Sequence, residues 1–154
     1  MLQALLAFLA LPGMVAIAVP AWFAVSMLRA GGSFHPIGLL PLAAGFALLL
    51  WCVRDFYITG KGTLAPWSPP KNLVTTGLYR HSRNPMYVAV ATMLIGWALC
   101  FMSRSLAIYA GIVILAFHIR VVFGEEPWLA RTHGDTWARY RAEVPRWFGK
   151  RRQA

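Results

Sequence analysis

The sequence predicts an all-α integral membrane protein of about four transmembrane helices, completed on the cytoplasmic side by a loop and C-terminal interfacial helices. Three observations predict it. Hydrophobic residues make up 58% of the 154-residue chain and charged residues only 13%. The mean hydropathy is +0.56, far from that of an average soluble domain. Four segments also satisfy the rule that a bilayer crossing needs roughly 20 mostly apolar residues. Such a bundle uses most of the chain, so residues 1–154 are expected to form one domain.

The first predicted span, residues 2–28, carries no charge but contains Pro12, Gly13 and Pro20. Proline removes a backbone donor, so this helix should bend. No basic segment precedes the apolar run, and it is long for the core of a signal peptide, so it reads as a mature helix. The second span, residues 36–53, ends where Arg54 and Asp55 follow. A Gly- and Pro-rich loop, residues 59–70, comes next; its Leu64 and Trp67 could make it a lid over a site at the membrane edge. The third and fourth spans, residues 85–102 and 105–123, are separated by little more than Ser103 and Arg104 and must form an antiparallel hairpin.

Lys and Arg in short loops orient a membrane protein. Arg54, Lys61, Lys71, Arg80 and Arg83 follow the second span, and Arg120, Arg131, Arg139, Arg141, Arg146, Lys150, Arg151 and Arg152 gather at the end of the fourth and in the tail. Arg29 and Arg104 alone fall on the other side. Both termini and the loop are therefore expected in the cytoplasm, in a bacterial inner membrane. The net charge of +10 is accounted for by this asymmetry and by anionic headgroups, so no nucleic-acid partner is expected. Cys52 and Cys100 sit in apolar runs with no disulfide or metal spacing, and His35, His81, His118 and His133 share no ligand pattern; no metal is expected.

Polar groups crowd the stretch Gly77-Leu78-Tyr79-Arg80-His81-Ser82-Arg83-Asn84-Pro85-Met86-Tyr87. Pro85 suits the first helical position and Asn84 is a preferred N-cap, so the third span starts here. The positive end of its dipole, beside Arg80 and Arg83, favours a carboxylate or phosphate. Glu125 and Glu126 are two of only five acids and fall at the end of the fourth span. Pro127 disfavours helix at Glu126, which suggests a break there with Glu126 capping a new helix; Glu125 is then left free to hold an ammonium group. The hairpin brings these acids to the basic start of the third span, a site able to grip both ends of an amino-acid-like zwitterion. Further on, Asp135 after Gly134 can cap another short helix, with Trp137, Tyr140 and Val144 forming the apolar face of an interfacial amphipathic helix.

The ordered set Lys71-Asn72-Leu73-Val74 through Tyr79, Arg83-Asn84-Pro85-Met86-Tyr87, Glu125-Glu126, and Gly134 through Tyr140 to Val144-Pro145-Arg146-Trp147 resembles the isoprenylcysteine carboxyl methyltransferase and phospholipid methyltransferase-like family of membrane enzymes. The resemblance covers about residues 60–148. It implies methyl transfer from S-adenosyl-L-methionine to a lipid-borne or small hydrophobic acceptor, with prenylcysteine-type carboxylate methylation as the prototype. Carried over by position, Lys71, Asn72, Leu73 and Val74 would line the cofactor, Tyr79, Asn84, Pro85, Met86 and Tyr87 would cradle it, and Glu125 would take its amino group. Arg120, Arg83 and Glu126 are the candidates for catalysis, although Arg120 sits one position from the family's substrate-orienting arginine. Asn84 stands where the family often has histidine, and Val88 where it often has glycine. Two other readings stay open: an NADPH-dependent membrane reductase of the sterol reductase type, and a non-catalytic membrane partner.

Overall fold

The computed structural model describes residues 9–59 and 73–149. Lys71, Asn72 and the anticipated lid, with Leu64 and Trp67, lie outside the described residues. The first helix, α1, begins as a π-helix over Leu9–Ala18 and continues as an α-helix over Val19–Arg29. A 3-10 turn at Pro36–Gly38 leads into α2, Leu39–Thr59. A second 3-10 turn, Gly77–Arg80, precedes α3, Pro85–Phe101. Then come α4, Arg104–Arg120, a π-turn over Val121–Glu125, and α5, Glu126–Glu143. No strand occurs among the described residues.

Three helical stretches are long and apolar enough to cross a membrane: Pro12–Arg29, Pro36–Asp55 and Arg104–Glu143. The fourth apolar helix, α3, has 17 residues, about 25 Å at 1.5 Å per residue. It lies against both α2 and α4, and its Ala89, Val90, Met93 and Leu94 join Leu49, Ala16 and Ala110 in the core. Large apolar side chains such as Trp22, Leu40, Ile108, Ile112 and Leu115 face outward, as a lipid-facing surface requires.

Lipid offers no hydrophobic drive between helices, so close packing must hold α2 on α3. Glycines make that contact. A Cβ on Gly45 would lie 2.7 Å from the carbonyl oxygen of Ala89, and one on Gly96 would lie 2.6 Å from the backbone nitrogen of Leu42. Backbone cannot yield at that distance, so both positions exclude a side chain.

Proline chemistry explains α1. Pro20 cannot donate to the carbonyls one helical turn earlier, whether bonding is α-like to Ala16 or π-like to Val15. Neighbouring helices supply the missing donors: Trp97 Nε1–H donates to Ala16 O at 2.9 Å, and the Tyr109 hydroxyl donates to Val15 O at 3.0 Å.

Two expected boundaries move. Helix α2 does not stop at Val53 but carries Arg54 and Asp55 on to Thr59, because a helix that has left the apolar layer can keep its internal bonds in water. The break expected at Glu126 is absent: its φ and ψ are −63° and −42°, helical values. The chain instead widens into the π-turn just before Pro127, which gives room for a ring that would clash with a carbonyl four residues back. The non-helical residue is Gly134, at φ 47° and ψ −122°, so a second helical piece does begin at Asp135. Its Trp137, Tyr140 and Val144 form the expected face, packed on Leu73 and Leu129 within the protein rather than laid on lipid. Cys52 and Cys100 are free and buried.

Candidate active site

The start of α3, the end of α4 and the first turn of α5 meet at one end of the bundle. A latch closes that end. Arg83 N–H donates to Pro145 O at 2.9 Å, the Ser82 hydroxyl donates to Arg146 O at 3.2 Å, and Asn84 Nδ2 donates to the same oxygen at 3.1 Å. Asn84 occupies the N-cap position as expected but makes no side-chain cap bond, because its amide is turned to the C-terminal segment. Pro85 at the first helical position has no N–H to satisfy.

Glu126 forms the centre of the latch. Its Oε1 accepts from Arg83 Nη1 at 2.9 Å and Arg146 Nε at 2.8 Å, and its Oε2 accepts from Arg146 Nη2 at 2.9 Å. The carboxylate is 9% exposed and the Arg83 side chain 8%. Burial would push the Glu126 carboxyl up, but the Arg146 hydrogen bonds and the charges of Arg83, Arg146 and Arg141 outweigh it and hold it below its ordinary value. Glu126 is thus no N-cap: its oxygens are engaged by guanidinium groups. Arg83, which also lies over the Trp137 ring at 5.4 Å, and Glu126 are bound to one another rather than open to a substrate.

Glu125 points elsewhere. Its Oε1 accepts from the Tyr87 hydroxyl and from Arg120 Nε at 2.8 Å, while Arg120 Nε also reaches the Tyr87 oxygen at 3.2 Å. Arg120 is 52% exposed and Glu125 33%, so this pair faces outward where Glu126 and Arg83 do not. Tyr87 is set by aromatic neighbours: Phe117 at 4.5 Å between centroids and Trp147 at 6.5 Å. Trp147 in turn donates from Nε1 to His118 Nδ1 at 3.3 Å.

The remaining sequence candidates divide between two clusters. Val74 and Tyr79 are buried with Cys52, and Met86 packs on them, whereas Leu73 turns to the Trp137 cluster. Tyr79 O accepts from the Tyr140 hydroxyl at 2.7 Å. Burial pushes the Tyr79 phenol well above its ordinary value, which makes it a donor and not a base.

Sequence reasoning passed over several residues. Asp55 is buried beside Gly77, and its Oδ2 has no hydrogen-bond donor among the described residues. Gly77 adopts φ +59°, and a Cβ there would stand 1.9 Å from that oxygen, so only glycine fits. The signal for Asp55 was its rarity: it is the only acid before Glu125. Arg146, by contrast, stood within the Val144-Pro145-Arg146-Trp147 motif but was given no role of its own. No group of three or more His, Cys, Asp or Glu among the described residues is arranged to hold a metal.

A model of the phospholipid methyltransferase family matches residues 33–136, more than half of the chain. The chain belongs to the phospholipid methyltransferase family. Membership makes it a membrane methyltransferase, and the all-helical structure with three long apolar helices agrees. No curated protein and no solved structure matches it. The part shared with the phospholipid methyltransferase family spans α2 to the break at Gly134 and includes Asp55, Arg83, Tyr87, Arg120, Glu125 and Glu126. Arg146 and Trp147, which complete the latch and wall Tyr87, lie beyond the matched residues.

Proposed function

We propose that this protein transfers a methyl group from S-adenosyl-L-methionine to a lipid-borne acceptor at the cytoplasmic face of a bacterial inner membrane. The observation that carries the reading is the Tyr87–Arg120–Glu125 group. An outward-facing guanidinium–carboxylate pair can exchange partners with a zwitterion, Glu125 for its ammonium and Arg120 for its carboxylate. The donor set therefore fits the methionine half of that cofactor. Val74, Tyr79 and Met86 would wall its nucleoside, with Lys71 and Asn72 beside them on the family's pattern, while Leu73 packs on the Trp137 cluster instead. Arg83, Glu126, Asn84 and Pro85 hold the start of α3 in place rather than react.

Bound there, S-adenosyl-L-methionine supplies a methyl group on cationic sulfur. The protein's work is alignment and the exclusion of water. A carboxylate acceptor needs no base, whereas an amine on a phospholipid headgroup must arrive deprotonated. Neither Tyr79, a phenol kept protonated by burial, nor Glu126, saturated by two arginines, serves as that base.

Binding separates this reading from a nicotinamide-dependent reductase. Titrated into detergent-purified protein, S-adenosylhomocysteine should bind, bind at least tenfold more weakly to Glu125→Gln, and outcompete NADPH. Binding of NADPH alone would overturn the reading. The orientation predicts that a cysteine placed at His81 is labelled from the cytoplasm and one placed at Met102 from outside; the reverse pattern would invert it.

A further inference from the structure

The chain sets only five acids against 15 Lys and Arg, so a site for a cation has few carboxylates to draw on. Glu126 is taken by Arg83 and Arg146. Glu125 is shared between Tyr87 and Arg120. Asp135 is exposed on α5, and Glu143 lines a separate cavity with Arg80 and Arg139. Asp55 is left. It is 8% exposed, makes no ion pair among the described residues, and its Oδ2 has no donor there. A carboxylate carried without a partner into the end of a spanning helix is costly, which marks it as functional.

Its neighbours say what the charge faces. Asp55 follows Cys52 by three residues on α2, which puts both on one side of the helix. Cys52 is buried with Val74 and Tyr79, and Met86 packs on them. The Asp55 Oδ2 rests against Gly77, so close that no Cβ fits, and Gly77 opens the turn that carries Tyr79. The carboxylate thus adjoins the wall assigned to the cofactor's nucleoside. Its charge also reaches past contact, as charges do in an apolar cluster. Burial does most to raise the Tyr79 phenol, but the charges of Asp55 and Glu125 both add to it, so one side chain feels the two acids together. With the ammonium on Glu125 and the nucleoside along Val74, Tyr79 and Met86, the sulfur falls between them.

We propose that Asp55 selects for charge: its buried, unpaired carboxylate favours the cationic sulfur of S-adenosyl-L-methionine over the neutral sulfur of S-adenosylhomocysteine. It acts through its field and not through a hydrogen bond. The inference deepens the proposed function and rests on that reading. Methyl transfer breaks the bond from sulfur to methyl and leaves the electron pair on sulfur, while a lone pair of the acceptor forms the new bond. The sulfur loses its charge in that step, so Asp55 holds the spent cofactor less well than the fresh one.

Three ligands of nearly one shape carry the test. S-adenosyl-L-methionine is cationic at sulfur, sinefungin places an ammonium at the same position, and S-adenosylhomocysteine is neutral there. Their affinities are measured by calorimetry on detergent-purified wild-type protein and Asp55→Asn at neutral pH. Asp55→Asn should weaken both cationic ligands about tenfold and leave S-adenosylhomocysteine within about twofold. Asp55→Ala should shift the ratio in the same direction, and a ratio taken within one variant does not depend on how much of that protein is folded. Without ligand, Asp55→Asn should melt no lower than the wild type, since it removes a buried charge that nothing neutralises. A lower melting temperature would make the carboxylate a structural anchor and overturn the assignment. All three ligands weakened alike, or an unchanged ratio, overturns the role of Asp55 and leaves cofactor binding in place. Wild-type protein that binds none of the three removes the methyl-transfer reading itself, and this inference with it.

Discussion

Glu125 and Glu126 are adjacent, yet the turn of the helix gives them opposite surroundings. Glu126 is held bidentately by the half-buried Arg146 and again by the buried Arg83. Replacing it with Gln leaves the Arg83 charge buried without its counter-ion, a change that costs about 3–5 kcal/mol in comparable pairs. Thermal unfolding in detergent should show that loss, whereas Glu125→Gln, in a partly exposed pair, should cost at most about 1 kcal/mol and act on cofactor binding instead. The same contrast sets a pH dependence. The folded state holds Glu126 below the ordinary carboxyl value of 4.5, so its stabilisation is complete above that pH and is lost as the pH falls through the lower folded value. Stability should therefore decline in acid for the wild type and less steeply for Glu126→Gln; equal slopes would show that the latch is not the titrating element. Sequence alone marked both acids through their scarcity but gave Glu126 to a helix cap. Its true partner, Arg146, is twenty residues away, and the motif that contains it does not say which acid it meets.

At the scale of elements, proline and glycine set the local geometry, and they were only partly readable. Pro85 announced the start of α3, and Gly134 announced the break before Asp135. Pro20 and Pro127 announced disturbance but not its form, because a π-turn that keeps the helix running depends on donors and space from other helices. Trp97 is one such donor. Trp97→Phe keeps an aromatic ring but strands Ala16 O, and should lower stability by about 0.5–2 kcal/mol, read from unfolding in detergent. Gly77 makes a sharper claim. Gly77→Ala would place a methyl group on the Asp55 carboxylate and strain a backbone at φ +59°, so it should unfold at lower temperature than the wild type, and Asp55→Gly should recover part of the loss. No recovery in the double variant would assign the whole effect to the backbone. The end of α2 at Thr59 was missed because Arg54 and Asp55 look like the edge of a membrane span, and they are; the helix outlasts the span.

Over the whole molecule, composition and the order of the apolar runs were enough for the all-α membrane class. Four apolar runs and a one-sided distribution of arginine lead to a bundle whose α3–α4 hairpin returns the chain to its polar end. What composition could not convey is that the chain's last described turn folds back on the start of α3, through Ser82, Arg83, Asn84 and Pro145, and so closes the site it belongs to. That closure joins the family's matched residues to Arg146 and Trp147 outside them, and Trp147 lies against Tyr87, which bonds Glu125 beside Arg120. The central claim is that this group serves S-adenosyl-L-methionine-dependent methyl transfer to lipid. Its most direct test is transfer of labelled methyl from S-adenosyl-L-methionine into a total lipid extract by purified protein, with the product identified by mass. The account predicts a labelled lipid with wild-type protein and at least a tenfold loss with Glu125→Gln at unchanged thermal stability. No labelled product, or an undiminished rate in Glu125→Gln, would contradict it.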